Sequence, residues 1–480
     1  RARTCVLARR LCGWVKNDVS GVTVEAQGAA GDVDLFIKEL KSRKPAAAAI
    51  DSLKSSIIAR AADTDFRILK SGGNTRTEAR IPADLALCPD CRRDISDPSD
   101  RRYLYPFTNC TNCGPRFTIV KNIPYDRPLT TMKGFKMCPE CMAEYRDPLN
   151  RRFHAQPNAC PLCGPSLSAR YRGRTIRGGA VLQLAANLLG KGKIVALQSL
   201  GGFHLACDAA DKRAILKLRR FKARPAKPFA VMTETAPEAG EFCFISKEEM
   251  TVMESSAAPV VMLKKQHAGV FASAAPGLST LGVMTAYTPL HAALFRLLRA
   301  AGSEGPLIMT SGNLRDEPIA KDHAGAVKAL GTVADLIVFH DREIHNRADD
   351  SVGFYAGGAF RLVRRARGYV PDSVRLDVLT PGGKTVMGCG ADLKTAFCLT
   401  RGASAFLSQH IGDQSEYANQ KFYAETAEKM KALLKVRPGV IAHDLHPDYH
   451  SSCYGRSLKG VKVPVQHHVA HVLSVAAEHA

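Results

Sequence analysis

A chain of 480 residues, 45% hydrophobic and 23% charged, is too long for one ordinary core and too apolar to be disordered, so three or four domains are expected. No apolar run is long enough to span a bilayer and the start carries no signal-peptide pattern, so no membrane partner is expected. The formal charge of +22 suits a nucleic-acid partner or phosphate-bearing small substrates equally well.

The chain opens on RARTCVLARR without Met and stops inside the apolar pattern HHVAHVLSVAAEHA, so a fragment incomplete at both ends is expected. Residues 1–70 form a small α/β unit. RTCVLARRLC has helical spacing, GWVKND reads as a turn, GVTVEAQG alternates like a strand, and DVDLFIKELKSR is a second amphipathic helix. This places Arg1 at a helix start and Asn17 on the turn. The unit resembles acylphosphatases, of ferredoxin-like fold, in which a loop ending in Arg cradles an acyl phosphate and an Asn positions the attacking water. The resemblance implies Arg1 and Asn17 as catalytic residues, although the cradle loop before Arg1 is absent. On the residues alone, an Asn that only shapes a turn is the alternative. SGGNTRTEAR, residues 71–80, reads as a linker.

Eight of the 15 cysteines then fall in four C-x-x-C pairs within residues 84–166. The spacing C-x2-C-x18-C-x2-C occurs twice, with 24 residues between the copies. Each pair can present two thiolates to one metal, and a closed tetrahedral site needs four ligands. Cys88, Cys91, Cys110 and Cys113 are assigned to one structural zinc, and Cys138, Cys141, Cys160 and Cys163 to a second; cross-braced pairing between the copies stays open. Such usage fits a reducing, cytoplasmic setting. Two zinc sites of four thiolates each would bring the charge to about +18. His154 matches Leu104 of the first copy and is not expected to be a ligand.

A third unit, 173–374, begins with a helix, a Gly-Lys-Gly turn and a buried strand in VLQLAANLLGKGKIVALQSLGG. LRRFKARPAKPFAVM packs Arg219, Arg220, Lys222, Arg224 and Lys227 before a strand, and TSGNLRDEP puts Ser311 and Asn313 at the carboxyl end of the strand PLIM. HNRADDS and RLVRRARGY add further charge. The first two clusters resemble the K-x-R-P and S-x-N signatures of YrdC-like domains, which make carbamoyl-adenylate intermediates from ATP. The resemblance implies that Lys222, Arg224, Ser311 and Asn313 bind ATP with Mg2+; after the Asn, Arg315 and Asp316 stand where that family usually has Ser-Gly.

The last unit, 384–480, carries the Gly-containing turn GCGADLKT, then IAHDLHPDY with Asp444 and His446 after an apolar strand. In VQHHVAH, His467 and His471 lie i, i+4 on one helix face, a spacing that suits two ligands of a divalent metal, with a third expected elsewhere. This region resembles the first part of threonylcarbamoyl-transferase-type domains on the actin-like ATPase fold, and FLSQHIGD and HDLHPDYHSS bring it closest to carbamoyltransferases of hydrogenase maturation. The fold class expected is therefore multidomain α/β and α+β: an acylphosphatase-like unit, two zinc ribbons, a YrdC-like domain and a partial ATPase-type domain.

These four pieces in this order resemble the HypF-type carbamoyltransferases of NiFe-hydrogenase maturation. That resemblance implies hydrolysis of carbamoyl phosphate, adenylation of the carbamate by ATP, and transfer of the carbamoyl group to a cysteine of a partner maturation protein (HypE-type), with nucleic acid not a partner. A threonylcarbamoyl tRNA-modifying enzyme shares the last two domains and is the main alternative. A non-catalytic zinc-ribbon scaffold that binds nucleic acid is the other.

Overall fold

The computed structural model describes residues 9, 11–18, 21–42, 50, 52–69, 81–376 and 380–479. At the N-terminus, strand Cys12–Asp18 pairs antiparallel with Gly21–Gln27 and parallel with Phe66–Ile68, beside helix Ala30–Ser42. Leu11, Phe36 and Phe66 close a small core against Val15 and Val24. The strand corrects the sequence reading at GWVKND, which is not a turn. Asn17 sits within the strand, opposite Val22. Gly and Asn-Asp are turn residues by propensity, but pairing along the whole strand satisfies the backbone groups that a turn there would leave open. Gly13 serves close approach instead: at φ 132°, a Cβ added there would lie 2.1 Å from the Glu25 carbonyl oxygen.

The cysteine unit has little regular structure besides two matching helices, Pro89–Ser96 and Pro139–Arg146. Each starts from a cysteine cap followed by Pro, whose missing amide costs nothing at that position. Cys88 and Cys91, like Cys138 and Cys141, therefore fall one helical turn apart on the same side. The duplication extends to the backbone: Leu104 and His154, at equivalent positions, both take left-handed φ values of 54° and 53°.

The next strand, Leu167–Tyr171, enters a mixed 12-stranded sheet directly from the second finger. The sheet's centre runs Thr280–Thr285, Ala230–Thr233, Leu307–Ser311, Phe203–Asp208, Val195–Gln198, Leu336–His340. Both faces are buried, which is why KIVALQ reads as a continuous apolar run. Val195 and Leu197 face one core, with helices Ala180–Leu189 and Pro289–Ala300. Ile194 and Ala196 face the other, with helices Lys212–Phe221 and His323–Leu330.

The last unit is a six-stranded sheet backed by helix Tyr417–Leu434 and ending in helix His467–His479. It packs on the central unit through specific bonds. Asn419 Nδ2 donates to the Asp316 carbonyl at 2.7 Å, Lys429 Nζ to the His345 carbonyl at 2.9 Å, and the Arg347 guanidinium lies 5.2 Å from the Phe422 ring centre. The first finger is tied down as well: the Leu87 amide donates to Tyr287 O at 2.8 Å, and Asn346 Nδ2 to Phe117 O and Val120 O at 2.7 and 3.1 Å. Among the described residues no helix is long and apolar enough to cross a membrane.

Candidate metal centres and nucleotide site

The four sulfurs of Cys88, Cys91, Cys110 and Cys113 lie within 4.8 Å of one another, and so do those of Cys138, Cys141, Cys160 and Cys163. The question left open by the spacing is thus answered in favour of one cluster per copy, with no cross-bracing. Sulfur–sulfur edges of 3.6 and 3.9 Å in the first cluster and 3.7 and 3.8 Å in the second match the roughly 3.8 Å edge of a tetrahedron whose centre lies about 2.3 Å from each sulfur. The donor set and its size fit zinc, and four thiolates leave no position for substrate. His154 takes no part; it stacks on Tyr145, ring centres 5.2 Å apart.

At the central site, the structure brings Lys222, Ser311 and Asn313 together. Lys222 caps helix Lys212–Phe221 and is fully buried. Its Nζ donates to the Ser311 carbonyl at 2.6 Å, the Asn313 carbonyl at 3.0 Å and Asn313 Oδ1 at 2.7 Å. Ser311 Oγ also donates to Asn313 Oδ1, at 2.7 Å, and Asn313 Nδ2 donates to the Glu317 carbonyl at 2.6 Å. The S-x-N loop is thereby knitted around the lysine. Three acceptors on one nitrogen match an ammonium, while burial, then Arg224, push its pKa down to about 6.

Arg224, two residues beyond Lys222, is half-buried in the field of Asp316, Arg364, Asp349 and Arg315. Burial lowers its pKa, as it does that of neighbouring Lys227. Arg219, grouped by sequence with these cations, points inward instead. Its guanidinium donates to the carbonyls of Ser273, Ala274, Arg224 and Lys227 at 2.9–3.0 Å and covers the Phe229 ring. It pins the K-x-R-P loop from beneath. The last unit closes the same site from the other side: the His410 amide donates to Arg365 O at 3.3 Å, and burial with Arg364 pushes the His410 imidazole down to about 4.

In the last unit, His467 and His471 do face each other, Nε2 to Nε2 at 3.1 Å. Two nitrogens bound to one tetrahedral ion at about 2.1 Å each would lie roughly 3.4 Å apart, close enough to the observed separation for the pair to fit a shared divalent metal. Asp444, at the end of strand Val440–Asp444, takes the other nitrogen of His467, Nδ1, at 2.6 Å. Burial pushes the Asp444 carboxyl up, but the His446 amide and His467 outweigh it and hold the group below its usual range. The sequence offered Asp444 without its link to His467, because 23 residues separate them. GCGADLKT folds as a loop whose Asp392 carboxylate caps helix His450–Ser457, accepting from the His450 and Ser451 amides at 2.8 and 3.0 Å. Arg1 lies outside the described residues, and of Asn17 only the backbone is described.

Models of four domain families match in the same order: acylphosphatase over residues 3–68, the HypF finger over 87–120 and 137–169, the telomere-recombination family Sua5/YciO/YrdC over 187–366, and the HypF Kae1-like domain over 381–478. Carbamoyltransferase HypF2 of Cupriavidus necator is 43% identical over 98% of this chain and 61% of its own length. Carbamoyltransferase HypF of Rhizobium leguminosarum bv. viciae is 44% identical over 98% of this chain and 60% of its own. Among solved structures, full-length HypF in a phosphate- and nucleotide-bound form superposes with a TM-score of 0.89 at 42% identity, covering 100% of this chain and 62% of that one. HypF of T. kodakarensis gives 0.89 at 38% identity, covering 99% and 61%. The chain thus spans about three fifths of the length of these relatives. Four domain matches in register, a shared fold over every described unit and two clusters built to the finger pattern together mean that the chain belongs to the HypF family.

Proposed function

We propose that the chain acts in the cytoplasm as a carbamoyltransferase of NiFe-hydrogenase maturation. In this reading the N-terminal unit hydrolyses carbamoyl phosphate to carbamate and phosphate, Arg1 holding the phosphate and Asn17 the water. A carbamate oxygen then attacks the α-phosphorus of ATP. The bond to the β-phosphate breaks, pyrophosphate leaves, and carbamoyl-adenylate forms. The carbamoyl group passes to a cysteine thiolate of a partner maturation protein of the HypE type, AMP leaves, and the product goes on to a cyanide ligand.

The observation that carries the reading is the knot of Lys222 with Ser311 and Asn313, set beside Arg224, Lys227 and Arg364 and closed over by His410. These cations suit a triphosphate, with its Mg2+, and would stabilise the charge that develops as pyrophosphate departs. Lys222 does a different job, fixing the loop that would line the nucleotide. Anionic phosphates beside Arg224 would also offset the cationic neighbour that helps depress the Lys222 pKa. Carbamate is labile in water, which gives successive enclosed sites on one chain a chemical advantage. A divalent ion held by His467 and His471 would supply Lewis-acid charge in the last unit, with Asp444 fixing the ring of His467.

The test is formation of AMP and pyrophosphate from ATP by the whole chain, with carbamoyl phosphate as the only acyl donor. Release that needs carbamoyl phosphate, and falls roughly 100-fold in Arg224→Ala, is expected. Release only with threonine and bicarbonate would replace this reading with a tRNA-modifying one. No release, with RNA binding that weakens steeply in salt, would favour a scaffold.

A further inference from the structure

Between its two cysteine pairs, each copy of the repeat carries Arg-Arg: Arg101 and Arg102 in the first, Arg151 and Arg152 in the second. None of these arginines serves the cluster of its own copy. Arg101 donates to Cys141 Sγ at 3.3 Å and reaches Cys138 Sγ at 3.9 Å. Arg102, almost fully buried, adds Cys141 Sγ at 3.5 Å and both Glu144 oxygens at 2.9 and 2.6 Å. The reverse set mirrors it. Arg151 donates to Cys91 Sγ at 3.6 Å and pairs with Asp94, and Arg152 pairs with Asp94 as well. Even the minor contacts repeat: Arg102 Nε takes the Ala159 carbonyl at 2.9 Å, and Arg152 Nε takes that of Asn109 at 3.1 Å. Glu144, which also touches Arg152 at 3.4 Å, joins the two sets.

Arg101–Cys141 is matched by Arg151–Cys91, Arg102–Glu144 by Arg152–Asp94, and the two Nε bonds match each other, each fifty residues apart. The two copies are therefore related by an approximate two-fold exchange; the Arg101–Cys138 and Arg102–Cys141 contacts are extra on one side. Its chemistry follows from charge. A zinc ion bound by four thiolates carries a net charge of about −2, and guanidinium N–H groups on the sulfurs lower the cost of holding that charge in a partly buried place. The arginines that do so for one cluster lie in the loop that the other cluster closes. Metal in the first cluster therefore orders Arg101 and Arg102 against the second, and metal in the second orders Arg151 and Arg152 against the first.

We propose that the two clusters take and keep zinc as a reciprocal pair, with Arg101 and Arg151 as positioning residues, each for the cluster of the other copy. This gives the duplication a reason that a single finger could not meet.

The zinc-loaded whole chain would be challenged with a chelator in the presence of a cysteine-alkylating reagent, and the modified cysteines mapped by mass spectrometry over time. Arg101 and Arg151 side chains are 34% and 25% exposed, so shortening them leaves the interior filled. Arg101→Ala is expected to expose Cys138, Cys141, Cys160 and Cys163 first, about 10- to 100-fold faster than in the parent chain. Arg151→Ala is expected to expose Cys88, Cys91, Cys110 and Cys113 first. Arg101→Lys and Arg151→Lys keep the charge, protect against unfolding as the cause, and are expected to show the same crossed order with a smaller acceleration. Opening that begins in the substituted copy's own cluster, or unchanged rates in all four variants, overturns the proposal.

Discussion

The finger unit and the His467–His471 corner both gather metal-type ligands, and they do so in opposite ways. In the fingers, all four positions around each centre are thiolates, the sulfurs are mostly buried, and arginines from the opposite copy meet the remaining charge. At the corner, two nitrogens and one outer carboxylate meet on a helix whose first histidine side chain is 43% exposed. A closed set builds a scaffold, and an open one leaves coordination positions for something else. The difference lies in what surrounds the ligands as much as in the ligands themselves.

The largest effect should come from breaking the closed side. Removing zinc, or replacing Cys91 by Ser, undoes cysteine turns that have little core of their own, since around the sulfurs pack only Leu87 and Met137, while Tyr105, Phe107, Ile119 and Met132 belong to the core of the central unit. The first finger also carries the bonds from Leu87 to Tyr287 and from Asn346 to Phe117, so the central unit should feel the loss. We expect Cys91→Ser to cost several kcal/mol, read as a fall of about 10 °C or more in Tm. His467→Ala, at a half-exposed position on the helix end, should change stability by less than about 1 kcal/mol. Equal losses in the two variants would mean that both centres are structural.

Acid should separate the same two regions. His340 packs edge-on against Phe107 of the first finger, ring centres 5.2 Å apart, and His291 bonds Ser199 at 3.2 Å beneath it. Burial pushes both imidazoles down to about 3, helped by Arg342 for His340 and by His204 for His291. Both are therefore neutral in the folded state across a range where the unfolded chain, near 6.5, takes up protons. The unfolded state binds more protons below that value, so stability falls as pH drops from about 6.5 towards about 3. By about pH 5 the loss is about 2 kcal/mol for each histidine. Urea unfolding at about pH 7 and about pH 5 would measure it. His340→Gln should reduce the loss between the two pH values by about 2 kcal/mol; an unchanged pH dependence in that variant would clear His340 of the role.

The spacing of the cysteines, the i, i+4 histidines and the S-x-N at a strand end were all legible, because local geometry alone brings such residues together. What was not legible depended on close approach or on reach across the fold. GWVKND looked like a turn, since nothing in the sequence shows that Gly13 sits against the Glu25 carbonyl. The run Arg219 to Lys227 looked like one array of charge, yet Arg219 and Lys222 turn inward to bond backbone carbonyls, and Arg224 remains at the site. The matching Arg-Arg pairs were visible at identical offsets. Their exchange between clusters was not, because a repeat specifies two equal units and not how those units face each other.

The smallest expected effect tests the open corner most directly. Asp444 accepts from Nδ1 of His467, which fixes the tautomer and leaves Nε2, 3.1 Å from that of His471, with its lone pair available. An amide in place of the carboxylate keeps the size and the neighbouring His446 contact while losing the charge that makes the imidazole a better ligand. Asp444→Asn should therefore weaken Zn2+ or Co2+ binding at this pair by about 10- to 100-fold, measured calorimetrically on chain whose eight finger cysteines are already loaded. Tm should hold, since the amide keeps the size of the carboxylate and the bond from the His446 amide. Loss of stability without a change in affinity would instead make Asp444 a helix anchor, holding His467–His479 against the strand from which it emerges.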